Sequence, residues 1–197
     1  MKRMIQRLDH QAIYEAIAPG AKVLDLGCGN GELLDLLVKG KNVKAQGVEV
    51  SDEAIHACVE KGLSVFHSDI DSGLPYYPDQ SFDYVILNQS LQEVKGVDSV
   101  IREALRVGKN VIIGFPNFAH IEARILLCFG GRAPISSSLP YEWNSTPNLR
   151  FLSIKDFRDF CRRKGYKILK ADYLGPRGRI HLLPNLFAVQ AVFVISQ

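Results

Sequence analysis

Val23-Leu-Asp-Leu-Gly-Cys-Gly-Asn-Gly-Glu-Leu-Leu34 runs from a mostly apolar strand through three alternating glycines, Gly27, Gly29 and Gly31, into a helical pattern. Glycine reaches backbone torsions closed to other residues and lets a ligand approach the main chain. The helix start that follows adds unpaired N–H groups and a partial positive charge. A strand, a glycine turn and a helix in immediate succession open a βαβ unit, so this stretch sets the fold class as α/β.

Outward from it, short β-branched runs alternate with longer helical patterns. Strands are expected at Lys22–Leu26, Ala45–Val50, Leu63–His67, Tyr84–Asn88, Asn110–Phe115, Tyr166–Leu174 and Phe187–Ser196. Helices are expected near Gly31–Lys39, Asp52–Lys61, Val97–Val107, Phe118–Phe129 and Ile154–Lys164, with a first helix near Ile5–Ala18 that stops at Pro19-Gly20. The pattern predicts a doubly wound, mainly parallel sheet in one domain, 1–197, opened by an N-terminal helix over 1–20. The link Gly175–Pro184 has no helical pattern, so the last two strands are expected as an antiparallel pair at one sheet edge. Residues 116–150 read as a helix-plus-loop insertion, and a loop that long is usually functional.

Composition narrows the function classes. At 197 residues, with 47% apolar and 23% charged, the chain suits one well-covered core. No targeting signal or membrane span is legible, so a cytoplasmic protein is expected. Cys28, Cys58, Cys128 and Cys161 are scattered without metal-ligand spacing; all are expected as free thiols, the last three as small buried apolar residues, with no metal. Ten Lys or Arg face three acids between Arg150 and Arg179. Without interleaved aromatics that basic run reads as a solvated helix end rather than a nucleic-acid surface.

The glycine spacing also selects a ligand. A GxGxxG dinucleotide loop would need glycine at Glu32 or Leu34, and a carboxylate at Glu32 sits badly against a pyrophosphate. A phosphate-binding loop would need Gly-Lys-Ser/Thr, which is absent. A nucleoside carrying an amino acid fits better. Glu49 closes the second strand, where a carboxylate accepts from both ribose hydroxyls. Asp69 follows the third strand, placed to accept from an exocyclic amine while a neighbouring backbone N–H meets a ring nitrogen. Asn88 ends the fourth strand. These strand ends define one crevice for such a ligand, lined by Asp25, Gly27, Cys28, Gly29, Gly31, Glu49, Val50, Asp69, Ile70 and Asn88; the family resemblance that follows implies S-adenosylmethionine or S-adenosylhomocysteine.

Residues 23–115 resemble the class I S-adenosylmethionine-dependent methyltransferase fold. Over nearly its whole length the chain resembles the MetW family of methionine biosynthesis. Val23–Leu34, Gln89-Ser-Leu-Gln92, Phe115-Pro-Asn-Phe118 and Gly130-Gly-Arg132 match, and above all Leu139-Pro-Tyr-Glu-Trp143 with Thr146-Pro-Asn148. The resemblance implies a seven-stranded Rossmann-like sheet with one antiparallel strand, and a role beside homoserine O-acyltransferase as an accessory or regulatory partner.

Catalysis stays open at this stage. Methyl transfer needs positioning more than a covalent catalyst, so the alternative is an active small-molecule methyltransferase. The substrate side offers Asn88, Gln89 and Glu93, and a lone His120. Tyr141, Glu142 and Trp143 read equally as a lid, a hydrophobic plug or a partner surface.

Overall fold

The computed structural model describes residues 7–136 and 139–197. In chain order the elements are α1 (Leu8–Ala16), β1 (Lys22–Leu26), α2 (Glu32–Lys41), β2 (Lys44–Glu49), α3 (Asp52–Glu60) and β3 (Val65–His67). A single 3-10 turn, Ile70–Ser72, precedes β4 (Phe82–Asn88), α4 (Val97–Val107), β5 (Gly108–Pro116) and α5 (Ile121–Gly130). Then come α6 (Ile154–Lys164), β6 (Lys167–Gly175), β7 (Gly178–Arg179), α7 (Pro184–Phe187) and β8 (Gln190–Ser196).

One sheet carries all eight strands in the order β3-β2-β1-β4-β5-β8-β6-β7. The first five strands in sequence run parallel; β8 runs antiparallel to both β5 and β6. Strand alternation decides which layer each side chain joins. Val23 packs with Ala12, Ile13 and Leu37 from α1 and α2, whereas Leu24 and Leu26 pack with Val100, Ile101 and Ala104 from α4. Both faces of β1 are therefore dry, as its unbroken apolar run requires.

Helix ends follow local chemistry. Ser153 and Asp156 form a reciprocal capping box on α6, and Arg162, Arg163 and Lys164 fill its last turn before left-handed Gly165. The basic run is thus a solvated helix end, with Arg162 paired to Asp159 at 3.0 Å and Lys164 to Asp98 at 2.9 Å.

The expected antiparallel pair, β6 and β8, lies at one end of the sheet, with β8 beside β5 and β6 further out. Three expectations need correction. An eighth strand, the two-residue β7, arises because Gly175 and Gly178 fold the chain back on β6. Phe187 belongs to α7, not to the last strand. In the insertion, α5 starts at Ile121 rather than Phe118, because Phe118 gives its N–H to Leu152 O and Ala119 to Asn117 Oδ1. Of the first helix, Ile5 and Gln6 lie outside the described residues.

Asn117, fully buried at the end of β5, explains how these loops are held. Its Nδ2 donates to Asn185 O and Ala188 O, and its Oδ1 accepts from Ala119 N and Ile154 N. Asn117→Ala strands several buried backbone groups and is expected to lower stability by about 2–4 kcal/mol, read from urea unfolding.

Candidate functional site

The loop after β1 is shaped by its three glycines, each with a positive φ. Gly27, at φ +77°, lies against Ser90: a Cβ there would sit 2.9 Å from the Ser90 Cβ. Ser90 Oγ in turn donates to Leu26 O at 2.9 Å, closing the end of β1. Gly29, at φ +53°, has open space on its outer side, so its main chain is bare toward solvent. Gly31 begins α2 from a left-handed position and gives its N–H to Cys28 O.

Glu49 reaches over this loop from the end of β2. Its Oε2 accepts from Gly29 N at 2.8 Å, and its Oε1 accepts from Val50 N at 2.7 Å and Ser51 N at 3.1 Å. The carboxylate therefore joins the glycine loop to the start of α3. Beneath it, Asp25 is buried at the end of β1. Burial, with the Glu49 charge added, pushes the Asp25 carboxyl up to about 7. Two acids share a small region, and among the described residues no cation offsets that shift.

A crevice of about 90 Å³ opens here, walled by Asp25, Gly27, Cys28, Gly29 and Asn88 together with Arg7, His10, Asn30, Glu32 and Leu33. Five of the ten sequence-derived positions thus meet directly. Glu49 joins through Gly29, Val50 supplies an N–H to Glu49, and Gly31 lies between the wall residues Asn30 and Glu32. Asp69 and Ile70 stand apart from the walled part. Ser68 N bonds Glu49 O, which places Asp69 beside the end of β2, and its Oδ1 accepts from Asp71 N as the cap of the 3-10 turn.

Sequence reasoning missed the contribution of α1. Asp9 is buried, and burial alone would raise its carboxyl, but hydrogen bonds from Arg7 and Asn88 Nδ2 outweigh that and hold it low. His10 is depressed by burial and by the Arg7 charge. Asp71 was missed as well: it accepts from Lys95 N and Gly96 N, pinning the loop after β4 to the turn after β3. No periodicity or motif links these positions to the glycine loop.

The loop after β4 contains unspent polarity. Asn88 Oδ1, Gln89 Nε2 and Gln92 Oε1 are buried without hydrogen-bond partners among the described residues, and Gln89 adopts φ +62°. Gly114 is required beside them, because a Cβ there would stand 2.1 Å from Asn88 Oδ1. Leu149 and Arg150 give their N–H groups to Gln92 O, so the insertion ends against this loop.

Elsewhere the geometry decides between alternatives. Trp143 is 80% exposed, which removes the plug reading of its loop. His120 caps α5 through a bond from Glu122 N. Cys58 donates to Gly29 O, and Cys28, Cys58 and Cys161 are buried, but Cys128 is exposed on α5, against expectation. The helical pattern places it on α5, but no periodicity shows that most of that helix lies bare. Among the described residues no cluster of His, Cys, Asp or Glu has metal-site geometry, and no helix is long and apolar enough to cross a membrane.

A family model, "Methionine biosynthesis protein MetW", matches residues 7–195. The "Bifunctional methionine biosynthesis protein MetXA/MetW" of Rhodopirellula baltica is 41% identical over 161 residues, covering 77% of this chain and 26% of that protein. The chain spans about a quarter to a third of the length of the curated relatives that match first. Among solved structures, an S-adenosylmethionine-dependent methyltransferase from Mesorhizobium loti superposes with TM-score 0.71 at 16% identity, covering 98% of this chain and 99% of that one. The [4+2]-cyclase SpnF superposes at 0.68 with 20% identity, covering 95% and 80%. At such identities the likeness is one of fold.

The raised Asp25 carboxyl has a signed consequence for stability. Between the ordinary carboxylate value and about 7, the folded protein holds a proton that the unfolded chain has lost, so this group's contribution falls as pH rises through that window. Urea unfolding of Asp25→Asn against the parent is expected to show a gap that widens from pH 4 to 7, by on the order of 4 kcal/mol, and then levels.

Proposed function

The chain belongs to the MetW family of methionine biosynthesis proteins, and from that premise we propose that it binds S-adenosylmethionine after β1 and serves as an accessory partner of homoserine O-acyltransferase. The cofactor reading is carried by the Glu49 carboxylate held over the bare Gly29 main chain. Val50 and Ser51 orient that carboxylate, and the ribose hydroxyls donate to it in the bound state. The walled crevice suits only an aminoacyl end, beside Arg7, Asp25 and Asn88. Sugar and base lie outside it, along the strand ends that carry Glu49 and Asp69. A sulfonium or ammonium charge near Asp25 offsets the burial penalty and favours its ionised form.

The partnership is supported by a surface and a relative. Helix α5 buries only Ala123, while Ile125, Leu127 and Phe129 face outward, and Tyr141 and Trp143 stand exposed in the same insertion. Exposed apolar and aromatic groups of this kind mark protein interfaces. In the Rhodopirellula relative a MetW part shares one chain with MetXA, and such a link holds two parts at high effective concentration. We read that second part as the acyltransferase and the 116–150 insertion as the face toward it.

A second reading, a small-molecule methyltransferase, is favoured by one observation: the unpartnered amide atoms of Asn88, Gln89 and Gln92 offer a donor and two acceptors beside the crevice. Substrate-dependent formation of S-adenosylhomocysteine would promote it.

Calorimetry is expected to show S-adenosylmethionine binding that Glu49→Ala weakens by about 1.5–3 kcal/mol, roughly 10- to 100-fold, since the acceptor lost is charged. Unchanged affinity would remove the ribose assignment. Copurification with the acyltransferase is expected for the parent and to fall at least tenfold for Phe129→Ser with Trp143→Ser, cofactor affinity being preserved. A complex indifferent to both substitutions would place the interface elsewhere.

A further inference from the structure

The crossover from β3 to β4 holds only the 3-10 turn Ile70–Ser72, where a parallel connection usually carries a helix. Part of the sheet face on the α4 side is therefore left without a helix. A cavity of about 530 Å³ lies there, well within the range of small-molecule sites and far larger than the crevice after β1. Its floor is Lys22, Lys44, Gln46, Ser64 and Phe66; its wall is the segment from Tyr76 to Phe82. Lys22 opens β1 and Gly27 follows its other end, so this cavity stands about 15 Å from the glycine loop.

The wall is built, not loose. Arg106 donates to Leu74 O and Tyr77 O at 2.9 Å each and to Asp79 Oδ1 at 2.6 Å, and Glu103 holds the same guanidinium. Gln80 N bonds Arg106 O at 2.8 Å, and Ser81 Oγ bonds Pro78 O. Against this frame stand aromatic groups from both sides: Phe66 half exposed, Tyr76 82% exposed, and Tyr77 edge-on to Phe82 at 5.7 Å. The Tyr77 hydroxyl is sealed from solvent and has no hydrogen-bond partner among the described residues.

The charges at the rim are unbalanced. Lys22 and Lys44 sit in register on adjacent strands, and neither ammonium has an ion pair among the described residues. The nearby acid, Asp83, is engaged by Lys109 at 2.8 Å and by the Lys22 main-chain N–H at 2.9 Å, with the Lys22 charge adding to its pull. Flat apolar walls with two unpaired cations are complementary to a flat apolar body that carries negative charge.

We propose that this cavity, formed over β1–β3 by the helix-poor crossover and rimmed by Lys22 and Lys44, is a second binding site for a small aromatic carboxylate. It is separate from the cofactor crevice and does not depend on it. The probe is indole-3-acetate, with indole-3-acetamide as its neutral isostere, followed by saturation-transfer NMR and titration of the full chain. The acid is expected to bind at least tenfold tighter than the amide, and Lys22→Gln with Lys44→Gln to erase that preference. S-adenosylhomocysteine affinity is expected to stay the same in the lysine variant and to be unaffected by the probe. Equal binding of acid and amide, a lysine variant that retains the preference, displacement of the probe by S-adenosylhomocysteine, or no binding of the acid would each overturn the assignment.

Discussion

A carboxylate set among backbone N–H groups organises this molecule. Glu49 stands where β2 ends, and it takes hydrogen bonds from Gly29, Val50 and Ser51. Charged acceptors form the stronger class of such bonds, so the loop after β1 is tied to the start of α3 rather than left to find its own shape. Gly29 can supply its N–H only from a left-handed backbone, and Gly27 can approach Ser90 only without a side chain. The glycines of this segment are thus consequences of the clamp. The same carboxylate places negative charge above buried Asp25, which leaves a polar floor short of one cation.

Much of this was legible because it is local. The glycine run and the acid at a strand end lie within a few residues of the structure they specify, and α4 and α6 match their expected limits. What was missed depends on distant pairing. Asp9 meets Asn88 across 79 positions, so the first helix enters the crevice with no signal in its own sequence. The two-residue β7 carries no period at all.

The uneven covering of the sheet separates this chain's particulars from the fold it shares. A common framework holds the glycine loop, and SpnF, with a closely similar framework, is a cyclase, so the frame alone does not set the chemistry. What varies is what covers it. The insertion before α6 leaves Phe129 and Trp143 bare, and the short crossover after β3 leaves a lysine-rimmed hollow. Neither feature adds to the crevice after β1, and at both, apolar surface meets water without a covering element among the described residues.

The central claim is that a nucleoside sugar lies against Glu49 above the glycine loop. The most direct measurement follows the backbone amide resonances of Gly29, Val50 and Ser51 by NMR while S-adenosylhomocysteine is titrated. The account predicts that these three shift together and saturate with the ligand, Gly29 most strongly, as its N–H exchanges a carboxylate for a new neighbour. A saturating ligand that leaves all three unmoved, or no binding at millimolar concentration, would contradict it.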